Sequence, residues 1–216
     1  FGVRKRRYAT RLGTAQGWLS AHVYLGTALL VVATLHTGFE LGWNVHTLAY
    51  VIMCLVVFSG FYGVYIYATV PHLMTANRGE DTLDGMLMRV ADLDKEIREK
   101  ALSLPDQILK VVNSSLDGTR IGGTFLRVYS GRDSSCPTAK AVRELPEIGK
   151  RLSGDHAKLN HEVYTLLLQK NEILQRARRD IRYKARLDLW LYFHVPLSIA
   201  LLASLSVHVV SVFLYW

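Results

Sequence analysis

Two pairs of histidines stand at one repeated spacing: His22 and His36 are fourteen positions apart, and so are His194 and His208. On an α-helix, fourteen steps return to within about 40° of the same face and climb about 21 Å. Each helix would then present two imidazoles on one stripe at two depths. Neutral imidazole is a good axial ligand for iron, and an apolar environment favours the neutral form that ligation requires. Imidazoles facing each other from two helices can clamp a haem iron from both sides. The separation along each helix argues against one shared metal, since a zinc site gathers its ligands at a single level.

The elements that must position these residues are membrane helices. No Asp, Glu, Lys or Arg occurs between Arg11 and Glu40, between Glu40 and Arg78, or from Leu189 to Trp216. Each stretch exceeds the roughly 20 apolar residues a spanning helix needs. The sequence therefore predicts an all-α fold, a transmembrane helical bundle with three spans in this chain and a mainly helical cytoplasmic insert between the second and third. The expected segments are a basic N-terminal segment over 1–16, a transmembrane hairpin over 17–70, the insert over 71–186 and the last span over 187–216. Within them the spans are read at Gly17 to Phe39, Asn44 to Val70 and Leu187 to Tyr215. The first is too long, and too closely followed by the second, for a cleaved signal peptide.

All 26 Lys and Arg residues lie before the first span or between the second and third, hence on one side, while the connection from Thr37 to His46 has none. The positive-inside bias places the N-terminus and the insert in the cytoplasm, and the expected setting is a bacterial inner membrane. The net charge of +8 is thereby a topology signal rather than a mark of nucleic-acid binding.

With one reversing helix between them, the first and third spans run parallel. His22 then faces His194 near the cytoplasm and His36 faces His208 near the opposite surface, which gives ligands for an inner and an outer haem. Gly26, Leu29 and Ala33 lie between the ligands on one stripe, and Ser198, Leu201 and Leu205 on the other. Small residues there leave room for a porphyrin edge and are equally the usual material of membrane helix contacts. Pro196 frees a carbonyl and is expected to bend the third span beside His194.

Secondary candidates surround these four. His46, beside Trp43 and Asn44, faces the outer side; it could replace His36 or His208 as a ligand, or join Trp43 and Thr37 in meeting a haem propionate. Arg11 and Arg186 are candidate partners of the inner propionates and equally ordinary interfacial cations. Tyr62, Tyr65, Tyr67 and His72 gather where a quinone ring could meet the inner haem, although aromatic residues belong at membrane interfaces anyway. His156 and His161 share no helical face and are read as surface residues.

The insert carries two amphipathic stretches. Asp81 to Leu104 has apolar residues at Leu83, Leu87, Val90, Leu93 and Ile97; Leu159 to Ile181 has them at Val163, Leu166, Leu167, Leu174 and Ile181. They are expected to pair as an antiparallel hairpin, with a short β-hairpin at Ile121 to Tyr129 and a turn at Arg132 to Cys136 between them. A helix from Asp155 could run through Arg186 into the last span, holding the insert rigidly against the membrane surface. Cys54 in a span and Cys136 in the insert are not expected to pair, and two thiols are too few for an iron–sulfur cluster. No phosphate loop, dinucleotide fingerprint or nucleophile elbow occurs, so machinery for catalysis on a soluble substrate is not visible.

Two parallel helices, each reading His, thirteen residues, His, with one helix between them, resemble the haem-carrying core of cytochrome b from the bc-type quinol:cytochrome c oxidoreductases. They are similar also to the membrane domains of ferric reductases and NADPH oxidases. The run HVYLGTALLVVATLHTGFELGWNVHTLAYV resembles bacterial membrane cytochrome subunits. The resemblance covers the three spans. It implies two b-type haems on His22, His36, His194 and His208, and a subunit of a larger redox complex embedded in the lipid bilayer. Electrons would cross between a quinone or cytoplasmic-side partner and an outer-side partner such as cytochrome c or an iron–sulfur protein.

The Pro-Glu-Trp-Tyr quinol motif of cytochrome b and the flavin and nicotinamide domains of the reductases are absent, and the long insert is foreign to both families. A fourth bundle helix is expected from outside this chain, which opens on Phe and closes at a helix end as a processed or partial product does. The competing reading is a membrane scaffold or sensor subunit whose cytoplasmic helices bind partners without haem. A third is a quinol-oxidising or metal-reducing enzyme in its own right.

Overall fold

The computed structural model describes residues 14–119, 121 and 136–215. Among them the chain forms six helices: α1 (Ala15–His36), α2 (Val45–Arg78), α3 (Leu83–Ala101), α4 (Asp106–Gly118), α5 (Pro137–Gly149) and α6 (Asp155–Tyr215). The described fold is all-α. Helices α1, α2 and α6 are long and apolar enough to cross a membrane, with stretches of mean hydropathy 1.6, 2.0 and 2.2. The chain divides into two compact units, one taking residues up to Ala68 and from Asp188 onward, the other Thr69–Leu187.

In the first unit, α1 starts at Thr14, whose Oγ1 accepts from the Gly17 amide at 3.1 Å and so satisfies one of the free amides of the first turn. It ends at His36 rather than at Phe39 as the sequence suggests. Gly38 and Phe39 follow with φ of 58° and 64°, a left-handed pair that a right-handed helix cannot contain. Asn44 Oδ1 caps α2 by accepting from the Thr47 amide at 2.9 Å. Helix α2 then continues through Pro71 to Arg78, beyond the expected end at Val70. The extra turns are held within the second unit, where Asn77 Nδ2 donates to the Arg176 carbonyl at 2.8 Å. Thr34 and Tyr50 join α1 to α2 through their hydroxyls at 2.9 Å.

The second unit has its own apolar core. Met86, Val90, Leu93, Ile97 and Ala101 recur every three or four residues on α3 and are all buried, as an amphipathic helix requires. They pack with Ile108 and Val112 of α4, Ala141 and Leu145 of α5, and Val163, Leu167 and Leu174 of α6. Helices α4 and α5 are additions to the two long helices legible in the sequence; each is 13 residues long. A proline heads each, Pro105 as the residue before α4 and Pro137 at the start of α5, where a missing amide costs the helix nothing. Lys100–Glu162 at 2.6 Å, Asp94–Lys170 at 2.6 Å and Asp81–Arg176 at 3.7 Å link the α3 region to α6 in antiparallel order. The expected β-hairpin and turn between Ile121 and Cys136 lie outside the described residues except for those two ends. Cys54 and Cys136 are free thiols, and α6 runs from Asp155 through Pro196 without a break.

Two charges sit in this core. Lys170 occupies a position on the apolar stripe of α6 and is fully buried. Its ammonium meets Asp94 at 2.6 Å and donates to the Ser115 carbonyl at 3.1 Å. Asp180, also fully buried, is gripped by Arg78, whose Nε and Nη2 each donate at 2.6 Å to a different carboxylate oxygen. Removing one partner of such a pair strands the other charge in a medium that solvates it poorly, which costs more than replacing both.

Asp94→Ala is expected to destabilise the chain by about 3–5 kcal/mol, because Lys170 is left buried and unpaired. Combining it with Lys170→Met should recover most of that loss, as read from thermal unfolding of the detergent-solubilised chain. The exposed Lys100–Glu162 pair acts differently. Its hydrogen bond and attraction hold Glu162 below the usual carboxylate range and Lys100 above the usual lysine value. Glu162 thus stabilises above its unfolded pKa and loses that effect as acid carries it through the lowered one; Lys100 stabilises below its unfolded pKa and loses it as alkali passes the raised one. A Tm difference between wild type and Glu162→Gln should be flat through neutral pH and vanish at both extremes.

Candidate functional site

Within the first unit α1, α2 and α6 line a cavity of about 830 Å³, inside the range of roughly 300–1,000 Å³ common for ligand and cofactor sites. His22, Gly26 and Leu29 face it from α1; Gly60, Gly63 and Tyr67 are among the α2 residues; Trp190, His194 and Leu201 come from α6. Its described wall contains no Asp, Glu, Lys or Arg. Glycine explains part of the space: a Cβ at Gly26 would meet nothing within 4 Å, and one at Gly60 would come to 3.7 Å from Cε1 of His194.

His194 is held on two sides. Its Nδ1 lies 2.7 Å from Ser59 Oγ, and the same hydroxyl donates to the Val56 carbonyl at 2.8 Å. A serine hydroxyl has one proton. Spent on Val56, that proton leaves Oγ able to accept from Nδ1–H in the tautomer whose lone pair is on Nε2. The Trp190 indole stacks on the imidazole with centroids 5.0 Å apart and planes 21° apart, and its Nε1 donates to the Ser59 carbonyl at 2.7 Å. Tyr67 packs edge-on against the same indole, centroids 5.6 Å apart. Trp190 can lie across α2 only because residue 63 is glycine, since a Cβ there would collide with the indole. His22 lines the same cavity as His194.

The other histidines of this unit gather around His208. His46 meets it edge to face with ring centroids 4.4 Å apart. His208 Nδ1 is buried without a hydrogen-bond partner among the described residues. The structure thus places His22 and His194 on one cavity and His46 against His208. Among the described residues no group of three or more His, Cys, Asp or Glu is arranged to hold a metal ion. A haem asks less of the protein, because the porphyrin supplies the remaining ligands of the iron.

The remaining candidates fall elsewhere. Arg186 belongs to the second unit, its guanidinium 6.0 Å from the Tyr183 ring centre, and Arg11 lies outside the described residues. Tyr62 and Tyr65 are exposed, and His72 is in the second unit. Trp43 is fully exposed, while Thr37 Oγ1 donates to the Thr34 carbonyl at 2.8 Å. Ser59, Gly63 and Trp190 are the residues that spacing alone does not reveal. The pattern Ser-Gly-x-x-Gly at 59–63 was the available signal, because small residues on a membrane helix mark close approach. The chain matches no protein-family model, no curated protein and no solved structure.

Gly63→Ala should push Trp190 off His194 and break its bond to the Ser59 carbonyl. The expected cost is about 1–3 kcal/mol, as for other overpacked sites. A lowered Tm with altered tryptophan fluorescence, the fluorescence change absent in a Trp190→Phe background, would register it.

Proposed function

We propose that the chain is a membrane-embedded di-haem b-type cytochrome that carries electrons across the bilayer as a subunit of a larger redox complex. The observation that carries this reading is the apolar cavity between α1, α2 and α6, with His22 and His194 in its wall and Ser59 Oγ on Nδ1 of His194, so that Nε2 is the ring nitrogen available to iron. The residues present fit a haem: paired imidazoles, an apolar lining and glycines where a flat ring needs room. His22 and His194 would hold the inner iron, His36 and His208 the outer one. A b-type haem bound there supplies reversible one-electron chemistry.

The protein's own contribution is placement and insulation. Helices α1 and α6 set the ligand spacing, Ser59 fixes a tautomer, and the lining excludes water and lowers the local dielectric. His46 stands either as a replacement outer ligand or, with its ring against His208, as a partner of a propionate. Arg11 and Arg186 are proposed for the inner propionates. The proposed topology places the basic N-terminus and the insert in the cytoplasm of a bacterium, with the spans in its inner membrane. A quinone near Tyr67 or a cytoplasmic-side partner would stand at the inner end, and cytochrome c or an iron–sulfur protein at the outer.

Purified protein should give a reduced-minus-oxidised spectrum with b-type bands. Replacing His22 or His194 by Ala should remove one haem and spare the other, and replacing His36 or His208 should do the converse, so each variant retains about half the haem by pyridine haemochromogen assay. Haem loss confined to His46 variants would overturn the ligand assignment. A folded wild-type protein that takes up no haem would overturn the whole reading in favour of a scaffold or sensor subunit.

A further inference from the structure

We infer that Ser59 is a positioning residue that sets the ligand strength of His194, and with it the reduction potential of the inner site. The inference rests on the reading of His194 as an iron ligand. Of the four proposed ligands, His194 has a hydrogen-bond acceptor on its second ring nitrogen, Ser59 Oγ at 2.7 Å, whereas Nδ1 of His208 is buried with no partner among the described residues. The acceptor is itself locked. Ser59 Oγ also has the Val56 carbonyl as an acceptor for its proton, and its own carbonyl is held by Trp190 Nε1, so the oxygen and the indole that stacks on the imidazole are fixed relative to each other by one residue of α2.

The chemical consequence has a definite sign. An Nδ1–H that donates to oxygen makes the imidazole a more basic ligand, and a more basic ligand favours the oxidised, more positively charged iron. Ser59 therefore holds the inner site at a lower potential than an otherwise similar site without an acceptor. Serine does this without placing a carboxylate in the apolar wall, where an ionised group would be costly. The two ends of the chain are thus made unequal by a hydroxyl on α2, a helix that supplies no ligand of the inner pair.

The test is a redox titration of the purified full-length protein, followed at the haem bands, in wild type, Ser59→Ala and Ser59→Thr, with His194→Ala identifying the inner component. Ser59→Ala should move the inner midpoint to a more positive value, leave the outer one in place and weaken retention of the inner haem by about tenfold. Ser59→Thr, which keeps the hydroxyl, should restore both. If Ser59→Ala does not fold, Ser59→Cys carries the test, since a thiol is close in size and a weak acceptor. Unchanged midpoints in a haem-containing Ser59→Ala or Ser59→Cys protein overturn the role of Ser59 while leaving the cytochrome reading intact. A wild-type protein without haem, or a His194→Ala protein that keeps both haems, overturns the ligand reading on which this role depends.

Discussion

A polar group on an apolar helix is best satisfied inside the protein, because apolar surroundings offer it no partner. The first unit obeys this constraint repeatedly. Thr27 donates to the Val23 carbonyl, Thr34 to Leu30, Ser198 to His194 and Ser206 to Leu202. Each hydroxyl has a carbonyl of its own helix to donate to, which leaves its oxygen able to accept from another group. Two of the back-bonded hydroxyls have a cross-helix partner as well: Thr34 meets Tyr50, and Ser59 meets His194. The serine beside His194 back-bonds to its own helix as Ser198 and Ser206 do.

The same constraint explains why the second unit is built differently although two helices run through both. Its core admits charge, in Lys170 and Asp180, but only with each charge matched by a neighbour on another helix or another turn. In the first unit the described cavity wall has no Asp, Glu, Lys or Arg. Neutral side chains with fixed tautomers or committed protons do there what ion pairs do in the insert.

How much of this could be read from sequence depends on the range of the interaction. The spans and the histidine stripes follow from local facts: runs without Asp, Glu, Lys or Arg, and a repeated step of fourteen. The helix end at His36, a few residues short of the expected end of the span, depends on left-handed backbone at Gly38 and Phe39, and Phe is a poor advertisement for that conformation. Lys170 on the stripe of α6 is not legible as a core residue, since a lysine signals exposure until Asp94 is seen opposite it. Helices α4 and α5 were overlooked as separate elements because each is short and borders a Gly- and Ser-containing stretch. Ser59, Gly63 and Trp190 need the register of α2 against α6, and periodicity along one helix carries no information about that.

The cavity wall has a consequence for what it admits. Lined by imidazoles, aromatic rings and aliphatic groups, with no Asp, Glu, Lys or Arg in its described wall, it provides no carboxylate, ammonium or guanidinium as counterion for a compact ionic guest. Such a guest would have to give up its hydration with nothing in return. A broad ring that spreads its charge over many atoms loses far less on entry. The wall is thus a filter on charge density, and shape comes second.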